Sequence, residues 1–203
     1  FDTTAVFFGD GAVAVEGIVY GGHSSTVTRF GGLVTAANLT LDGPGQFQLT
    51  NAANAISGTI QMNGGTLFVD GTGARGSANE IILHGNYANN FNGGQMPSLR
   101  LRHDSVSNAA YNYAGLQVTV AENVPYTQIQ AERFAGTSTT AEVRIQSLNI
   151  LGTTGAGGTL VQLFNSNSNA QVLGTTTIGG TSPVGLNVNA NTWRLNGGVS
   201  SVA

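Results

Sequence analysis

Apolar and polar residues alternate along most of this chain. In the stretch 56–71, ISGTIQMNGGTLFVDG, Ile60 and Met62 fall on one side of a short run, and Leu67 and Val69 on one side of the next. A period of two is the mark of a strand with one face buried and the other wet. Asn63, Gly64 and Gly65 separate the runs, and these residue types accept positive φ at little steric cost, so a sharp corner joins two strands. The corner returns as Asn92-Gly93-Gly94 and Asn196-Gly197-Gly198, and in looser form as Gly31-Gly32, Gly157-Gly158 and Gly179-Gly180. The same pattern predicts strands at 5–8, 12–20, 26–30, 33–41, 46–50, 59–62, 66–69, 80–83 and 99–102. It predicts further strands at 116–121, 127–131, 143–150, 159–164, 171–173, 175–178, 186–188 and 193–195. No window predicts a stable helix. The best, 51–56, is shorter than the roughly 12 residues below which helices are marginal in water.

Two segments break the rhythm, 86–97 (NYANNFNGGQMP) and 104–115 (DSVSNAAYNYAG), and are expected to be irregular loops leaving the sheet. Corners that repeat in kind while the intervening lengths vary favour a solenoid over hairpin architectures, whose turns are short and whose strands match. The expectation is one all-β domain over 1–203, a right-handed parallel β-helix. About eight to ten coils at ~4.8 Å each would make it roughly 40–50 Å long. Leu67, Val69, Leu99, Leu101, Val143, Ile145, Val188 and Leu195 are the expected core, with Arg100, Arg102 and Arg144 alternating outward.

Composition narrows the functional classes. Only 8% of the residues are charged, there is no lysine, and the net charge is -3. Nucleic-acid binding needs a dense Lys/Arg footprint and is excluded on that ground. Stacked strands disfavour like charges directly above one another, and Asn or Thr ladders suit them better. The chain has no cysteine, which removes disulfides, thiolate metal sites and a Cys nucleophile together. No apolar run reaches the ~20 residues of a membrane-spanning helix.

The stretch 45–85, GQFQLTNAANAISGTIQMNGGTLFVDGTGARGSANEIILHG, resembles the autotransporter-associated β-strand repeat of bacterial surface proteins. The matching positions are Leu49, Asn54, Gly58, Thr59, Gly64, Gly65, Thr66, Leu67 and Gly76. Downstream stretches resemble the segments between such repeats in style, and about three quarters of the chain is covered. The resemblance implies a secreted or surface-displayed β-solenoid that serves adhesion, coating or fibre building, with no catalytic signature to transfer. No translocator barrel accompanies it, so the secretion route stays open.

Candidate chemistry is sparse. The carboxylates Asp42, Asp70, Glu80, Asp104, Glu122, Glu132 and Glu142 fall one to a strand or turn, without the clustering a polysaccharide lyase or hydrolase needs. Asp10 and Asp42 sit in isolated Asp-Gly turns and not in a repeated calcium-binding nonapeptide. His23, His84 and His103 each stand alone and are expected at the surface. No cofactor or metal site is expected. Arg100, Arg102 and Arg144 offer either a basic stripe for an acidic glycan or, more simply, pairing with Glu142 or Asp104. Tyr87, Phe91, Tyr111 and Tyr113, in the two irregular segments, are candidate surface contacts for sugars or a neighbouring molecule. The expected function is a non-enzymatic structural module of an extracellular or bacterial cell-surface assembly, joined to copies of itself or to neighbouring modules. An apolar run opens the sequence at Ala5 and a strand lies just before its last residues, so both ends are expected to be continued. The alternative is a glycan- or surface-binding adhesin passenger; a carbohydrate-cleaving solenoid is the weaker reading.

Overall fold

A computed structural model describes residues 5–8, 13–21, 27–84, 96–154, 157–189 and 192–202. In chain order the strands are β1 (Ala5–Phe8), β2 (Val13–Gly21), β3 (Val27–Phe30), β4 (Val34–Asp42), β5 (Gln46–Leu49), β6 (Ala55–Ile56) and β7 (Thr59–Met62). They continue with β8 (Thr66–Asp70), β9 (Glu80–Leu83), β10 (Ser98–His103), β11 (Ala110–Val120), β12 (Tyr126–Arg133) and β13 (Glu142–Ile150). The last are β14 (Thr159–Ser166), β15 (Asn169–Val172), β16 (Thr176–Ile178), β17 (Val184–Asn189), β18 (Trp193–Leu195) and β19 (Val199–Ser201). The described residues contain no helix, so none is long and apolar enough to cross a membrane.

The strands form two sheets. One has eight strands in the order β1-β3-β5-β8-β10-β12-β14-β17. The other has eleven, following β2-β4-β7-β9-β11-β13-β15-β18, with β6 on β4, β16 on β13 and β19 on β16. The chain visits the two sheets in turn, and every pairing is parallel. Parallel neighbours need a crossover connection. Here each sheet supplies the crossover for the other.

Register places like with like. Across the first sheet Phe47, Leu67, Leu99, Ile129 and Leu163 stand in one column, and Leu49, Val69, Leu101 and Ala131 in the next. Across the second, Leu39, Ile60, Ile81, Val118 and Leu148 line up. All of these are buried and join a single core cluster between the sheets. Burying a leucine such as Leu67 contributes about 2–3 kcal/mol from its removal from water. The interior is therefore a stack of apolar layers, each covered by the pass before and the pass after.

The corner at Asn63-Gly64-Gly65 has a definite steric cause. Gly65 has φ 71° and packs so closely on the preceding pass that a Cβ there would lie 2.1 Å from the Gly45 carbonyl oxygen. Only glycine fits. The corner at 92–94 lies outside the described residues. The window 51–56 is a turn leading into β6, with Asn54 inside it buried.

Several expectations need correction. The segment 104–115 is a loop only in its first half, because β11 begins at Ala110. Tyr111 and Tyr113 alternate inward there, and the register shift between Tyr113 and Gln117 hides the strand from a period-two reading. Tyr113, expected as a surface contact, is fully buried. His103 is fully buried as well, since it shares the inward parity of Leu99 and Leu101. Val188 is 49% exposed and Leu195 half-buried, although both were expected in the core. Their strands β17 and β18 pair on one side only, so the inward side chains are covered from that side alone.

Candidate functional site

The densest polar constellation lies on the outer face of the first sheet, where β8, β10 and β12 run side by side. Register sets Arg100 between Phe68 and Gln130, and Arg102 between Asp70 and Glu132. Arg102 is within 2.6 Å of Asp70 and 3.6 Å of Glu132, and Arg100 lies 3.3 Å from Glu132. Both guanidinium groups also lie over the Phe68 ring, at 5.1 Å for Arg100 and 4.6 Å for Arg102, and Arg102 lies 5.3 Å from the ring of Phe134. Gln48 Nε2 donates to Asp70 Oδ2 at 2.7 Å, and Arg29 Nε donates to Gln48 Oε1 at 3.3 Å, which carries the ladder down to β5 and β3. Gln130 Nε2 donates to Glu132 Oε2 at 2.9 Å.

This ladder consumes the groups a ligand would need. The Arg102 side chain is only 14% exposed, and that of Asp70 6%. The arginines lie on the outward parity, but none is fully exposed as the sequence led one to expect: all three are half-buried, and Arg102 is covered by its partners. Arg144 is on the other sheet, 2.5 Å from Glu142, with Arg194 3.7 Å from the same carboxylate. The three arginines form no common stripe. Of the partners expected for them, Glu142 does pair with Arg144, whereas Asp104 instead accepts the Tyr111 hydroxyl at 2.5 Å. Asp70 and Glu132, the real partners of Arg100 and Arg102, lie about thirty residues away along the chain and meet them only through the register.

Asp70 and Glu132 are two strand spacings apart, ~9.6 Å between their strands, with Arg102 between them. Neither faces an open groove as a free acid or base, the arrangement a glycosidase needs. Among the described residues no group of three or more His, Cys, Asp or Glu side chains could hold a metal ion.

Tyr113 crosses from β11 to the opposite sheet, where its hydroxyl donates to the carbonyls of Arg102 at 3.0 Å and Val69 at 3.2 Å. Complete burial raises its pKa far above the usual phenol value. The hydrogen bond to Asp104 raises that of Tyr111. Burial lowers the pKa of His103, of His84 and of Arg75. Arg75, nearly inaccessible, donates to the carbonyls of Ala78 and Ala114 and so clamps the irregular part of β11. Tyr87 and Phe91 lie outside the described residues.

That irregularity leaves a polar notch of about 230 Å³ on the outer face of the second sheet, lined by Asn79, Glu80, Gly115, Gln117, Gln146 and Ser147. Glu80 Oε1 there accepts from Gln117 Nε2 at 2.9 Å and Thr119 Oγ1 at 2.5 Å. A second open cleft, about 350 Å³, is lined by His84, Ala121, Glu122, Asn123 and Leu151. Sequence reasoning missed the notch because it depends on two extra residues in one strand. It missed His103 although parity with Leu99 and Leu101 was there to be read.

No protein-family model, no curated protein and no solved structure matches this chain. The functional reading therefore rests on the residues and their arrangement.

Proposed function

We propose that the chain is a right-handed parallel β-helix serving as a structural module of a bacterial extracellular or cell-surface assembly, with no catalytic role. The observation that carries this reading is the alternation of the chain between two all-parallel sheets. Each pass is covered by the next, which is how a solenoid is stabilised, layer on layer. Its outward polar groups are spent on holding neighbouring passes together, as in the Gln48-Asp70-Arg102-Glu132 ladder. The likeness of 45–85 to the autotransporter-associated repeat adds the surface location and the passenger-type role. Parallel sheets of this kind extend by adding strands at their edges, where unpaired N–H and C=O groups template another layer. Further polypeptide of the same chain or a second copy supplies that layer equally well, and a copy adding head to tail gives open filaments.

Size-exclusion chromatography with electron microscopy tests the assembly. Fibres or sheets with an axial repeat near the length of one module are expected, and a monodisperse monomer at all concentrations defeats the reading. The adhesin alternative is favoured by one feature, the notch around Glu80, whose carboxylate and amides suit the hydroxyl groups of a neutral sugar. Binding to a glycan array that is lost in Glu80→Gln and Gln146→Ala would transfer the function to that site. Release of reducing ends from a panel of polysaccharides would overturn the non-enzymatic part of the proposal.

A further inference from the structure

We propose that His103 is an acid-sensitive latch that holds two successive corners of the stack closed at neutral pH and releases them when its imidazole takes up a proton. The imidazole is fully buried at the end of β10. Its Nδ1 accepts a hydrogen bond from the Ser105 N–H at 3.3 Å, so the neutral ring carries its proton on Nε2. Nε2 is enclosed and closes no hydrogen bond of ordinary geometry, although the Asn167 main chain favours the protonated ring. A second proton has to go to Nδ1, where it meets the Ser105 N–H head on. Two donors then face one another inside the protein, and the Ser105 bond cannot survive.

What hangs on that bond is more than one turn. The Ser105 hydroxyl donates to the Ser107 carbonyl, and the same oxygen accepts from the Ser107 N–H. The corner of the next pass is then laid on this turn. Phe134 N–H donates to the His103 carbonyl at 2.9 Å, and Thr137 and Ser138 N–H donate to the Ser105 carbonyl at 3.1 and 2.9 Å. Gly136 presses so close that a Cβ there would lie 2.2 Å from the Asp104 carbonyl oxygen. Displacing Ser105 therefore loosens 134–138 with it.

The compensation an imidazolium finds, from the Asn167 main chain and from Asp104, is outweighed by desolvation. Arg133 of β12, the register partner of His103, opposes the charge, while Asp104, next along the chain, favours it but is already engaged by the Tyr111 hydroxyl. Tyr111 of β11 presents its ring at 5.3 Å, tilted by 38°. On the β8 side the next position is Gly71, which has no side chain. Desolvation is the largest influence on the group and lowers its pKa. The sign follows: an unfolded histidine protonates near 6.5, the folded one at lower pH. The stability held by the neutral ring is complete above about 6.5 and is lost as pH falls through the window below it.

Hydrogen exchange between pH 7.5 and 5.0, corrected for intrinsic rates, tests the latch on the intact protein. The amides of Ser105, Thr137 and Ser138 should lose protection about tenfold, the change that one pH unit of proton linkage supplies, while Leu67 and Ile129 in the core keep theirs. In His103→Asn, whose Oδ1 can accept the Ser105 N–H but cannot titrate, protection should be flat with pH. Unchanged protection in the wild type, or an equal acid loss in His103→Asn, overturns the proposal. Should that variant fail to fold, nitrogen chemical shifts of the wild-type imidazole decide the matter. The latch requires the Nε2–H tautomer at neutral pH and a protonation step coincident with the shift of the Ser105 amide; an imidazole that titrates near 6.5 without moving that amide refutes it.

Discussion

Replacing Asn54 by alanine should cost this protein a large share of its stability. The side chain is 6% exposed and sits between three successive passes. Its Oδ1 accepts from the Val34 N–H at 2.9 Å and its Nδ2 donates to the Ala74 carbonyl at 2.7 Å, each partner twenty residues away in opposite directions along the chain. Alanine leaves both main-chain groups without a partner in a region where Val34 and Ala74 are themselves buried. An unsatisfied buried donor or acceptor costs about 1–3 kcal/mol, so the pair amounts to roughly 2–4 kcal/mol once some relaxation is allowed. Against a whole-domain stability of about 5–15 kcal/mol that is a large share. With a urea m-value of about 2–3 kcal/mol/M the midpoint should fall by roughly 1 M. Equilibrium urea denaturation followed by circular dichroism measures it. Asn54→Asp separates the two bonds, because the carboxylate keeps the acceptor toward Val34 but sets an oxygen against the Ala74 carbonyl. A midpoint shift below about 0.3 M at unchanged slope in Asn54→Ala would show that the bridge between passes contributes little, and the reasoning would fail.

Two further outcomes are expected. Arg102→Ala leaves the Asp70 carboxylate, 6% exposed, with the Gln48 amide but without this cation, and should destabilise by about 1–3 kcal/mol after allowance for the partial exposure of Arg102. In a double-mutant cycle Asp70→Asn should recover part of that loss, and a coupling indistinguishable from zero would refute the ladder's contribution. Tyr113 resists ionisation because it is buried, whereas an unfolded tyrosine ionises near pH 10. The stability tied to its neutral form is therefore complete below that pH and lost as pH rises above it, with a slope approaching 1.4 kcal/mol per pH unit. Denaturation midpoints between pH 9 and 11 should fall less steeply in Tyr113→Phe than in the wild type.

The strand pattern was legible wherever alternation was uninterrupted and the side chains left no ambiguity, as in Thr59–Met62, Glu80–Leu83 and Trp193–Leu195, whose limits in the structure match those the sequence predicts. It failed at β11, where Tyr-Asn-Tyr looks like a loop composition and the register shift then breaks the period. Burial was legible for Leu67, Val69, Leu99, Leu101, Val143 and Ile145, which lie in strands flanked on both sides. It was not legible for Val188, because period two tells which side of a strand is inward but not whether a neighbouring strand covers it. The arginine partners were out of reach for a different reason. Arg102 is 32 residues from Asp70, and nothing local to either residue sets that distance; it follows from how many residues each corner absorbs.

That absorption has a consequence for how the molecule can change. Along the outer column of the first sheet, consecutive partners Arg29, Gln48, Phe68, Arg100, Gln130, Phe164 and Asn189 are separated by 19, 20, 32, 30, 34 and 25 residues, yet each still faces the next. The architecture keeps count of strands and is indifferent to the length of chain between them. Lengthening a surface loop costs only about 0.6 kcal/mol for each doubling. Foreign sequence spliced into an exposed corner that bears no hydrogen bond to its neighbours would thus be displayed at a fixed height on the stack without disturbing the columns above and below, which makes the fold a ruler on which segments can be exchanged one level at a time.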